Sequence, residues 1–568
     1  MKKKLTLAVA GLLCATGVLL SAHGATPDTT SLEVASIEGD NIAVDVRDGL
    51  SDEDIAQLGR DYGIPNLHDN SPEVKDDANI AVGHSDDPQG TLKKLRQDAR
   101  VDSADLDVKV EAYLVPNDEK YGDQWHMKSI GMESAWDRSC GSGVTVAVID
   151  TGVACYEGRG FKKAPDVGNC VPGHNFVSKN DFAADDQGHG THVAGTIAQA
   201  TNNKKGVTGI AFCAKIMPVK VLSGSGSGTS ADVAEGIRWA ADHGAQVINL
   251  SLGSSMSENL GREAVAYAHR KGVTVIAAAG NSGGSIGFPA GYDGAMAISA
   301  TDSAKKIANF SCRGPKIAIG APGVNVTQET ICTDGQDGCF KLGAFNGTSM
   351  ASPHAAGVAA LLVSQGITDP DAVEKVLRSS AESKSDKNLY GSGILNAASA
   401  TNRALWGNIV LRALALLFLV FALRKVAQWD GTEFSLHREM IPGIMLGAFG
   451  LFPMAYFFGG FEFLGSARPI AEAILMHPFG EWDIPFYAHI HQYMPLANAL
   501  PVVGAVGLLG VGRMRHVVVG FALGTTAYLL QTAYSLDTLF VFGPTALRLF
   551  ALANIAVIFW VAKTALRK

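Results

Sequence analysis

Ser349 lies in the stretch GTSMASPH, which is followed directly by an alanine-rich apolar run. A serine hydroxyl is a poor nucleophile at neutral pH, so a serine that attacks carbonyl carbons needs a base beside it and a donor for the oxyanion. A helix is predicted to begin here, with Pro353 in its first turn and its N–H groups directed towards Ser349. A Gly-Thr-Ser turn also commonly caps a buried helix, so the chemistry depends on partners elsewhere in the chain.

Two such partners lie upstream. Asp150 ends the apolar run VTVAVID, which predicts a buried parallel strand that brings the acid to its carboxyl end, where sites of α/β sheets assemble. His189 lies between two glycines in GHGTHVAG, at the predicted start of a helix, so there is space around its ring. His192 is the competing base, and we assign it a structural role. An Asp, a His and a Ser in this order fit the arrangement in which the acid orients the imidazole and the imidazole takes the serine proton.

Asn281 follows another apolar strand pattern, VTVIAAAG. Its side-chain amide could donate to an oxyanion. Asn-Ser-Gly-Gly is also an ordinary turn after a strand, so this residue gains weight only beside the other three. The candidate catalytic set is therefore Asp150, His189, Ser349 and Asn281.

The segments VIDTG, GHGTHVAG, AAGN and GTSMASPH together resemble the four signature segments of the subtilisin-like serine proteases, in that family's order. The resemblance covers residues 114–400 and implies an α/β fold with a doubly wound parallel sheet, the Asp-His-Ser triad and the Asn281 oxyanion donor. It also implies a roomy primary pocket that admits large apolar or aromatic side chains. The Gly-Ser run SGSGSGT would otherwise indicate a flexible linker. The substrate-binding residues implied are Ser251, Leu252 and Gly253 on one edge, Gly224, Gly226 and Gly228 on the opposite edge, and Gly287 in the pocket.

The segment after Tyr113 is similar to thermitase-like members of that family, which implies a structural calcium site. Oxygen ligands of the implied kind are those that Ca²⁺ prefers. The implied ligands are the side chains of Asp118, Asp166 and Asn203, with loop carbonyls near Ala200 and Val207. Lys205 falls in the same loop, so a metal-free loop is the alternative.

Residues 1–25 carry three lysines, a short apolar core and a small-residue end, SAHGA, which indicate a cleaved secretory signal peptide. Cys14 could instead mark a lipoprotein, but Leu13 before it is too bulky for that processing. Seven cysteines remain after cleavage, so an exported protein could form disulfides and would keep at least one unpaired thiol. The pairs expected first from closeness in sequence are Cys155 with Cys170 and Cys332 with Cys339.

Residues 26–113 show strand and helix patterns in the order βαββαβ, which predicts a small α+β, ferredoxin-like unit. The segment holds 21 acidic and 8 basic residues, a net charge of −13, against −8 for the whole chain. Such a surface is usually only solvated. Before a subtilisin-like domain, however, it resembles the family's propeptide, which helps the protease to fold and then blocks its cleft. The resemblance places the maturation cut near Tyr113.

Residues 405–568 contain apolar stretches of near-spanning length at 405–423, 441–459, 494–511, 517–533 and 549–562. About five in succession with polar breaks predict an all-α transmembrane bundle rather than buried soluble helices. Basic residues fall at alternate ends, which places the C-terminus in the cytoplasm and the protease outside. Arg412 in the first stretch would have to snorkel or be neutralised within the bundle. The loop 460–493, with its acids and histidines, is expected to be solvated.

These features predict a serine endopeptidase that is multi-pass in a bacterial-type inner membrane, with an extracytoplasmic catalytic domain matured by propeptide removal. Its partners would be protein or peptide substrates, its own propeptide as inhibitor and the lipid bilayer, with no nucleic acid. Two alternatives stay open: an inactive protease-like binding module, and a membrane sensor or transporter with a proteolytic appendage. DTG at Asp150 also occurs in aspartic proteases, but those need two such acids and this chain has one DTG.

Overall fold

The structure is a computed structural model of the chain. It divides into two compact units, one within Thr16–Ala112 and the other within Tyr113–Lys568. The described residues are 41–47, 49–69, 79–107, 115–332, 340–431, 434–450, 475, 477–485, 515–537 and 543–567. The predicted signal peptide, residues 1–25, lies outside them.

The N-terminal unit has an antiparallel sheet of strand order β2-β3-β1-β4 with two helices. Its elements are β1 (Asn41–Val46), α1 (Asp52–Tyr62), β2 (His68–Asp69), β3 (Asn79–His84), α2 (Pro88–Leu95) and β4 (Val101–Leu106). Alternate residues of β1 are buried, as a half-buried strand requires. Helix α1 begins with a capping box between Ser51 and Asp54 and ends at Gly63, whose φ of 72° suits glycine. The elements follow one another in the order βαββαβ.

The second unit is built on a parallel sheet of strand order β12-β11-β10-β9-β5-β8-β6, in which β7 also pairs with β8. The strands are β5 (Thr145–Asp150), β6 (Asn169–Cys170), β7 (His174–Asn175), β8 (Lys215–Lys220), β9 (Val247–Leu250), β10 (Thr274–Ala278), β11 (Ala295–Thr301) and β12 (Ile317–Pro322). A separate antiparallel pair consists of β13 (Val326–Thr330) and β14 (Lys341–Phe345). The main strands are continuous apolar runs because both faces of the sheet are covered.

Helices cover the two faces of this sheet. They are α3 (Trp125–Ser129), α4 (Met132–Trp136), α5 (His189–Ala198), α6 (Ser230–Asp242), α7 (Asn259–Arg270), α8 (Thr348–Ser364), α9 (Pro370–Ser380) and α10 (Lys387–Tyr390), with a 3₁₀ turn at Tyr121–Asp123. Val146 and Val148 of β5 belong to one hydrophobic core, with residues of α5 and α8. Ala147 and Ile149 belong to the other, with residues of α6 and α7. Successive strand residues therefore point into two layers, as the predicted doubly wound fold requires.

Two disulfides link segments of this domain. The predicted pair Cys155–Cys170 is present. Cys140–Cys213 was not predicted, because the two residues are 73 positions apart in sequence. Cys312 is a buried free thiol. Cys332 is disulfide-bonded, and Cys339, its predicted partner, lies outside the described residues.

Four helices follow the catalytic fold within the described part of the chain. They are α11 (Ala397–Asp430), α12 (Ile441–Ala448), α13 (Arg515–Ser535) and α14 (Pro544–Arg567), with 3₁₀ turns at Arg438–Met440 and Phe479–Glu481. By length and composition, α13 is long and apolar enough to cross a membrane, and most of it is buried. The predicted stretch 494–511 lies outside the described residues.

Helices α12 and α13 approach each other through glycines. A Cβ at Gly447 would lie 2.6 Å from the Thr525 nitrogen, and one at Gly524 would lie 2.5 Å from the Ile444 carbonyl oxygen. Small residues four positions apart let helix backbones come this close. Gly443 and Gly520 extend the same contact by one turn.

The expectation of a solvated loop at 460–493 is wrong for its described part. Glu481 is 4% exposed and His477 is 9% exposed. An Arg412 Nη2 donates to Glu481 Oε1 at 2.5 Å, and His477 Nδ1 lies 3.0 Å from Glu481 Oε2. Gln531 of α13 accepts from Arg412 Nε at 3.1 Å. The charge of Arg412 is thus neutralised within the helices, because a buried guanidinium needs a paired carboxylate.

Candidate active site

Asp150 and His189 form a buried hydrogen-bonded pair. Asp150 ends β5 and is fully buried, and its Oδ1 lies 2.7 Å from His189 Nδ1. His189 begins α5, which follows Gly188 in the left-handed region at φ 102°. Gly190 lets α5 start this close to the strand, because a side chain there would overlap the Gly152 carbonyl. This bond holds one ring nitrogen and leaves Nε2 for a partner in the cleft.

Asp185, which the sequence reasoning missed, holds the loop before His189. Its Oδ1 accepts from the Thr151 hydroxyl at 2.9 Å and from the Gly188 N–H at 2.9 Å. Its Oδ2 accepts from the Thr191 N–H at 3.0 Å and from the Thr191 hydroxyl at 2.6 Å. Burial raises the pKa of Asp185. The available signal was the acidic pair directly before QGHG.

The negative charge of Asp150 raises the pKa of His189. Burial, the largest single influence, lowers this pKa, but the charge and hydrogen bond of Asp150, together with the charge of Asp185, outweigh it. The ring can therefore hold a proton taken from a nucleophile. His192 behaves differently: burial lowers its pKa to about 3, and its Nε2 donates towards the carbonyls of Val326 and Gly343.

Ser349 is the second residue of α8, at the same edge of the sheet. Its hydroxyl donates to the Ser251 carbonyl at 3.1 Å, and the Ser251 hydroxyl donates to the Ser349 carbonyl at 2.8 Å. The prediction that Pro353 lies in the first turn is wrong, because α8 begins at Thr348 and Pro353 is its sixth residue. Proline has no N–H to bond the carbonyl four residues earlier, which is that of Ser349. The Ser251 hydroxyl satisfies that carbonyl instead and ties β9 to the start of α8.

No hydrogen bond joins Ser349 to His189 among the contacts of the described residues. Catalytic hydrogen bonds are often long in ligand-free structures and shorten when a substrate binds. The partly buried Ser349 and His189 nevertheless lie at one edge of the main sheet, because Ser349 bonds Ser251, which follows β9, and His189 bonds Asp150, which ends β5.

Asn281 follows β10, and its amide has a defined orientation. Its Oδ1 accepts from the Thr348 N–H at 2.8 Å and from the Thr348 hydroxyl at 2.9 Å. Thr348 Oγ1 in turn accepts from the Gly280 N–H at 3.1 Å. With Oδ1 engaged, the exposed amide nitrogen is available as a donor beside the residue that precedes Ser349.

A cleft of about 740 Å³ runs past His189. Of the predicted substrate-binding residues it is lined by Gly226, Gly228, Ser251, Leu252 and Gly253. Its other walls include Leu222, Val233, Met256 and Phe288. The Gly-Ser run is not a flexible linker, because the Ser223 N–H donates to the Ser227 carbonyl at 2.9 Å and closes a tight turn.

Gly224 and Gly287 do not line this cleft. A Cβ at Gly224 would lie 3.2 Å from the carboxyl carbon of Asp186, so this glycine packs against the loop before His189. The Gly287 N–H donates to the Ala279 carbonyl at 2.9 Å, and a Cβ there would lie 3.0 Å from the Ser254 carbonyl oxygen. Gly287 therefore lies close to the segments that end in Asn281 and Ser254.

Lys220 at the end of β8 is another residue that the sequence reasoning missed. Its side chain is 4% exposed and donates to the Thr151 carbonyl at 2.5 Å, to Asp186 Oδ1 at 2.6 Å and to the Leu222 carbonyl at 2.8 Å. Lys220 pairs in register with Asp150. The buried ammonium joins the segment after Asp150 to the edge of the cleft.

The predicted calcium ligands lie together on the N-terminal side of the domain. The Asn203 side-chain nitrogen lies 2.7 Å from Asp166 Oδ1, and the Asn203 N–H lies 3.4 Å from Asp118 Oδ1. Asp118 is 5% exposed and Asp166 is 2% exposed, and burial raises the pKa of both. Two buried carboxylates fit a hard cation, because the cation would offset the cost of burying their charge. Lys205 Nζ donates to the nearby Pro165 carbonyl at 2.9 Å.

An acid–imidazole pair, a serine at a helix start and an oriented amide, all at the carboxyl edge of one parallel sheet, define the site of a serine hydrolase. The family model described as Peptidase_S8, Subtilase family, matches residues 141–393. Subtilisin Savinase of Lederbergia lenta is 44% identical over 280 residues, which are 49% of this chain and 98% of that protein. The chain therefore belongs to the subtilase family and is a subtilisin-like serine protease.

Two further relatives extend this comparison. The thermophilic serine proteinase of Bacillus sp. (strain AK1) is 37% identical over 364 residues, which cover 63% of this chain and 84% of that protein. A solved structure of a protease from Pseudoalteromonas arctica PAMC 21717 is 32% identical and covers 51% of this chain and all of that chain, with a TM-score of 0.48.

Proposed function

We propose that Asp150, His189 and Ser349 are the catalytic triad of an endopeptidase and that Asn281 stabilises the oxyanion. The buried hydrogen bond of 2.7 Å between Asp150 and His189 carries this proposal. His189 takes the proton of Ser349 as the hydroxyl oxygen attacks the scissile carbonyl. It then gives the proton to the leaving amine, and water hydrolyses the acyl-enzyme by the reverse sequence.

Changing Asn281 tests the oxyanion role. We expect Asn281→Ala and Asn281→Asp each to lower kcat by about 10² to 10³ with little change in KM, because the donor acts only when charge develops on the carbonyl oxygen. This size is the one known for the corresponding donor in subtilisin, a member of the same family. The measurement is steady-state hydrolysis of a chromogenic peptide with phenylalanine before the cut.

Asn281→Asp keeps an acceptor for Thr348, so the start of α8 should stay intact in that variant. Asn309→Ala, which alters an exposed asparagine in the same domain, is the control and should retain the wild-type rate. A near-normal kcat in Asn281→Asp would remove Asn281 from the mechanism.

The enzyme is proposed to prefer substrates with a large apolar or aromatic residue directly before the cut. The cleft walls include Leu222, Leu252 and Phe288, and exposed glycines form its outer edge. Burial of a large apolar side chain against such walls is favourable by about 25 cal/mol per Å² of apolar surface removed from water.

The N-terminal unit is proposed to be an inhibitory propeptide that is removed on maturation. Its βαββαβ order and strongly acidic composition support this role. The proposed cut lies near Tyr113.

The C-terminal helices are proposed to cross a membrane. One face of α11 exposes large apolar side chains at a spacing of three to four residues: Val410 (49%), Leu414 (57%), Leu417 (68%) and Phe421 (59%). Exposed Trp406 and Trp429 lie on either side of this stripe, about 34 Å apart along the helix. A hydrocarbon core is about 30 Å thick and tryptophans favour its two interfaces. Lipid is the environment that such a stripe fits.

A charge on this stripe tests the membrane proposal. We expect Leu417→Lys to reduce strongly the amount of full-length protein that accumulates in the carbonate-washed membrane pellet, because a charge at mid-bilayer costs about 2.5–3.5 kcal/mol and disfavours correct insertion of α11. Gln428→Lys places the same charge at the helix end and should behave as the wild type. Release of the wild type by carbonate, or equal tolerance of both lysines, would contradict a spanning α11.

Calcium is proposed to bind at Asp118, Asp166 and Asn203, where it would neutralise buried acids and tie the N-terminal segment to the loop at 200–207. We expect EDTA to lower the Tm of the protein, blocked with a fluorophosphonate to prevent self-digestion, by about 5–10 °C. A cation at about 100 times its Kd adds about 2.7 kcal/mol, and each kcal/mol shifts the Tm of a domain of this size by about 2–4 °C.

Asp166→Asn should lower the Tm in calcium and remove the response to EDTA. The exposed Asp123→Asn is the control and should keep that response. A Tm that EDTA leaves unchanged in the wild type would favour the metal-free loop, with Lys205 as the cation.

A further inference from the structure

One helix, α11, begins in the core of the catalytic domain and continues as the first proposed span. Ala397, Ala400 and Ala404 at the start of α11 are buried in the hydrophobic core of the catalytic domain. Two residues after Ala404, Trp406 begins the exposed apolar stripe, and α11 continues without interruption to Asp430. A continuous helix fixes the orientation of the catalytic domain relative to the proposed span, whereas a flexible linker would leave it free.

Segments that follow other proposed spans also contact the catalytic domain. The N–H groups of Thr368 and Asp369 donate to the Asp537 carbonyl at 2.8 and 3.0 Å. A Cβ at Gly366 would lie 3.0 Å from the Glu481 carboxylate, which is the partner of Arg412. These contacts, together with α11, attach the domain at several points.

A third contact, between the main sheet and the segment at 477–485, lies on the same side of the domain as the two contacts above. A side chain at Gly143 would overlap the Ile484 carbonyl, so the segment at 477–485 packs against the amino end of β5. Asp150 lies at the other end of β5, which rises about 3.3 Å per residue. The amino edge of the sheet therefore faces the C-terminal helices and the carboxyl edge, with the candidate site, faces away.

The course of helix α8 also indicates, independently of β5, that the candidate site faces away from the C-terminal helices. Ser349 is near its first residue, and Gly366, in contact with Glu481, lies two residues after its last. The 15 steps from Ser349 to Ser364 rise about 22 Å at 1.5 Å each. Helix α8 thus places the nucleophile about 20 Å from the surface that contacts the C-terminal helices, and β5, whose five steps rise about 17 Å, places Asp150 on the same far side.

We propose that the enzyme cuts polypeptide segments in the aqueous compartment well above the bilayer and does not cut membrane-embedded or membrane-adjacent segments. This inference rests on the proposed protease and membrane roles. A chain extends at most about 3.3–3.6 Å per residue, so at least about six residues are needed to rise 20 Å. Several more must occupy the cleft, which puts the shortest accessible site about 10–15 residues from a membrane anchor.

The test uses the full-length enzyme in lipid vesicles with single-span reporter proteins in the same vesicles. Each reporter carries one phenylalanine-containing target sequence at 4, 8, 12, 16 or 30 residues from its span, and the same sequence is also supplied as a soluble peptide. We expect the 30-residue reporter to be cut at least about 20-fold faster than the 4-residue reporter, with the change near 10–15 residues.

Dissolving the vesicles in detergent releases the two anchors from a common plane, so the 4-residue reporter should then be cut. If it is cut in vesicles as fast as the 30-residue reporter, the inference is overturned. If it stays uncut in detergent while the others are cut, target accessibility and not enzyme orientation sets the limit, which also overturns it. If the soluble peptide is not cut, the proposed protease function fails instead.

Discussion

Replacing Ser349 with alanine should abolish peptide hydrolysis, with kcat falling by about 10⁶. That size is taken from subtilisin, where loss of the nucleophile costs about as much as loss of the whole triad. The physical reason is that His189 then has no hydroxyl to deprotonate, and only water near the oxyanion donor can attack. The measurement is peptide hydrolysis by membranes that contain equal amounts of wild-type and Ser349→Ala protein.

The same variant reports on maturation. An immunoblot should show a shortened species for the wild type and only the unprocessed length for Ser349→Ala, and N-terminal sequencing of the shortened species should begin near Tyr113. Ser379→Ala, an exposed serine on α9, is the matched control and should mature normally. Equal processing of Ser349→Ala would mean that another protease matures the chain, and labelling of the wild type by a fluorophosphonate would then decide whether Ser349 is reactive.

Replacing Asp150 with asparagine should lower kcat by about 10⁴. In subtilisin the loss of the corresponding aspartate costs about 3 × 10⁴. The amide no longer stabilises the imidazolium that forms when His189 accepts the serine proton. Asp371→Asn is a matched control, because Asp371 also bonds a histidine, His269, at 3.0 Å, but on the surface of the domain.

The pH profile separates this role from simple loss of structure. His189 must be neutral to act as a base, so kcat/KM falls as the pH drops through its pKa, which Asp150 raises above the ordinary value of 6.5. Without that charge, burial lowers the pKa, and the residual activity of Asp150→Asn should persist to lower pH than that of the wild type. An unchanged acid limb would mean that another group controls it.

The reactive set could be predicted because its residues lie at the ends of strongly patterned segments. An apolar run that ends in an acid indicates a buried parallel strand, and Asp150 ends β5 as that pattern requires. The bond between Asp150 and His189 then follows from topology, since β5 and the helix start meet at the carboxyl edge of the sheet.

What the sequence did not reveal depends on contacts between distant segments. Cys140 and Cys213 become neighbours only when the sheet forms, so their separation of 73 residues carries no local signal. The position of Pro353 within α8 is tolerated because Ser251, 98 residues earlier than Ser349, supplies the missing donor. In the same way, the burial of His477 depends on Arg412 and Glu481 meeting across separate helices.

The uninterrupted helix α11 also determines how the enzyme meets its substrates. A hydrogen-bonded helix is a poor target for nicking, because proteases cut preferentially at exposed loops whose backbone is free to enter a cleft. Between Ala397 and Asp430 there is no such segment, so release of a soluble enzyme by cleavage at this junction is disfavoured. With the C-terminal helices in the membrane as proposed, we expect the reaction to be confined to a thin layer at the membrane surface, where its rate scales with membrane area and with the supply of polypeptide on that side.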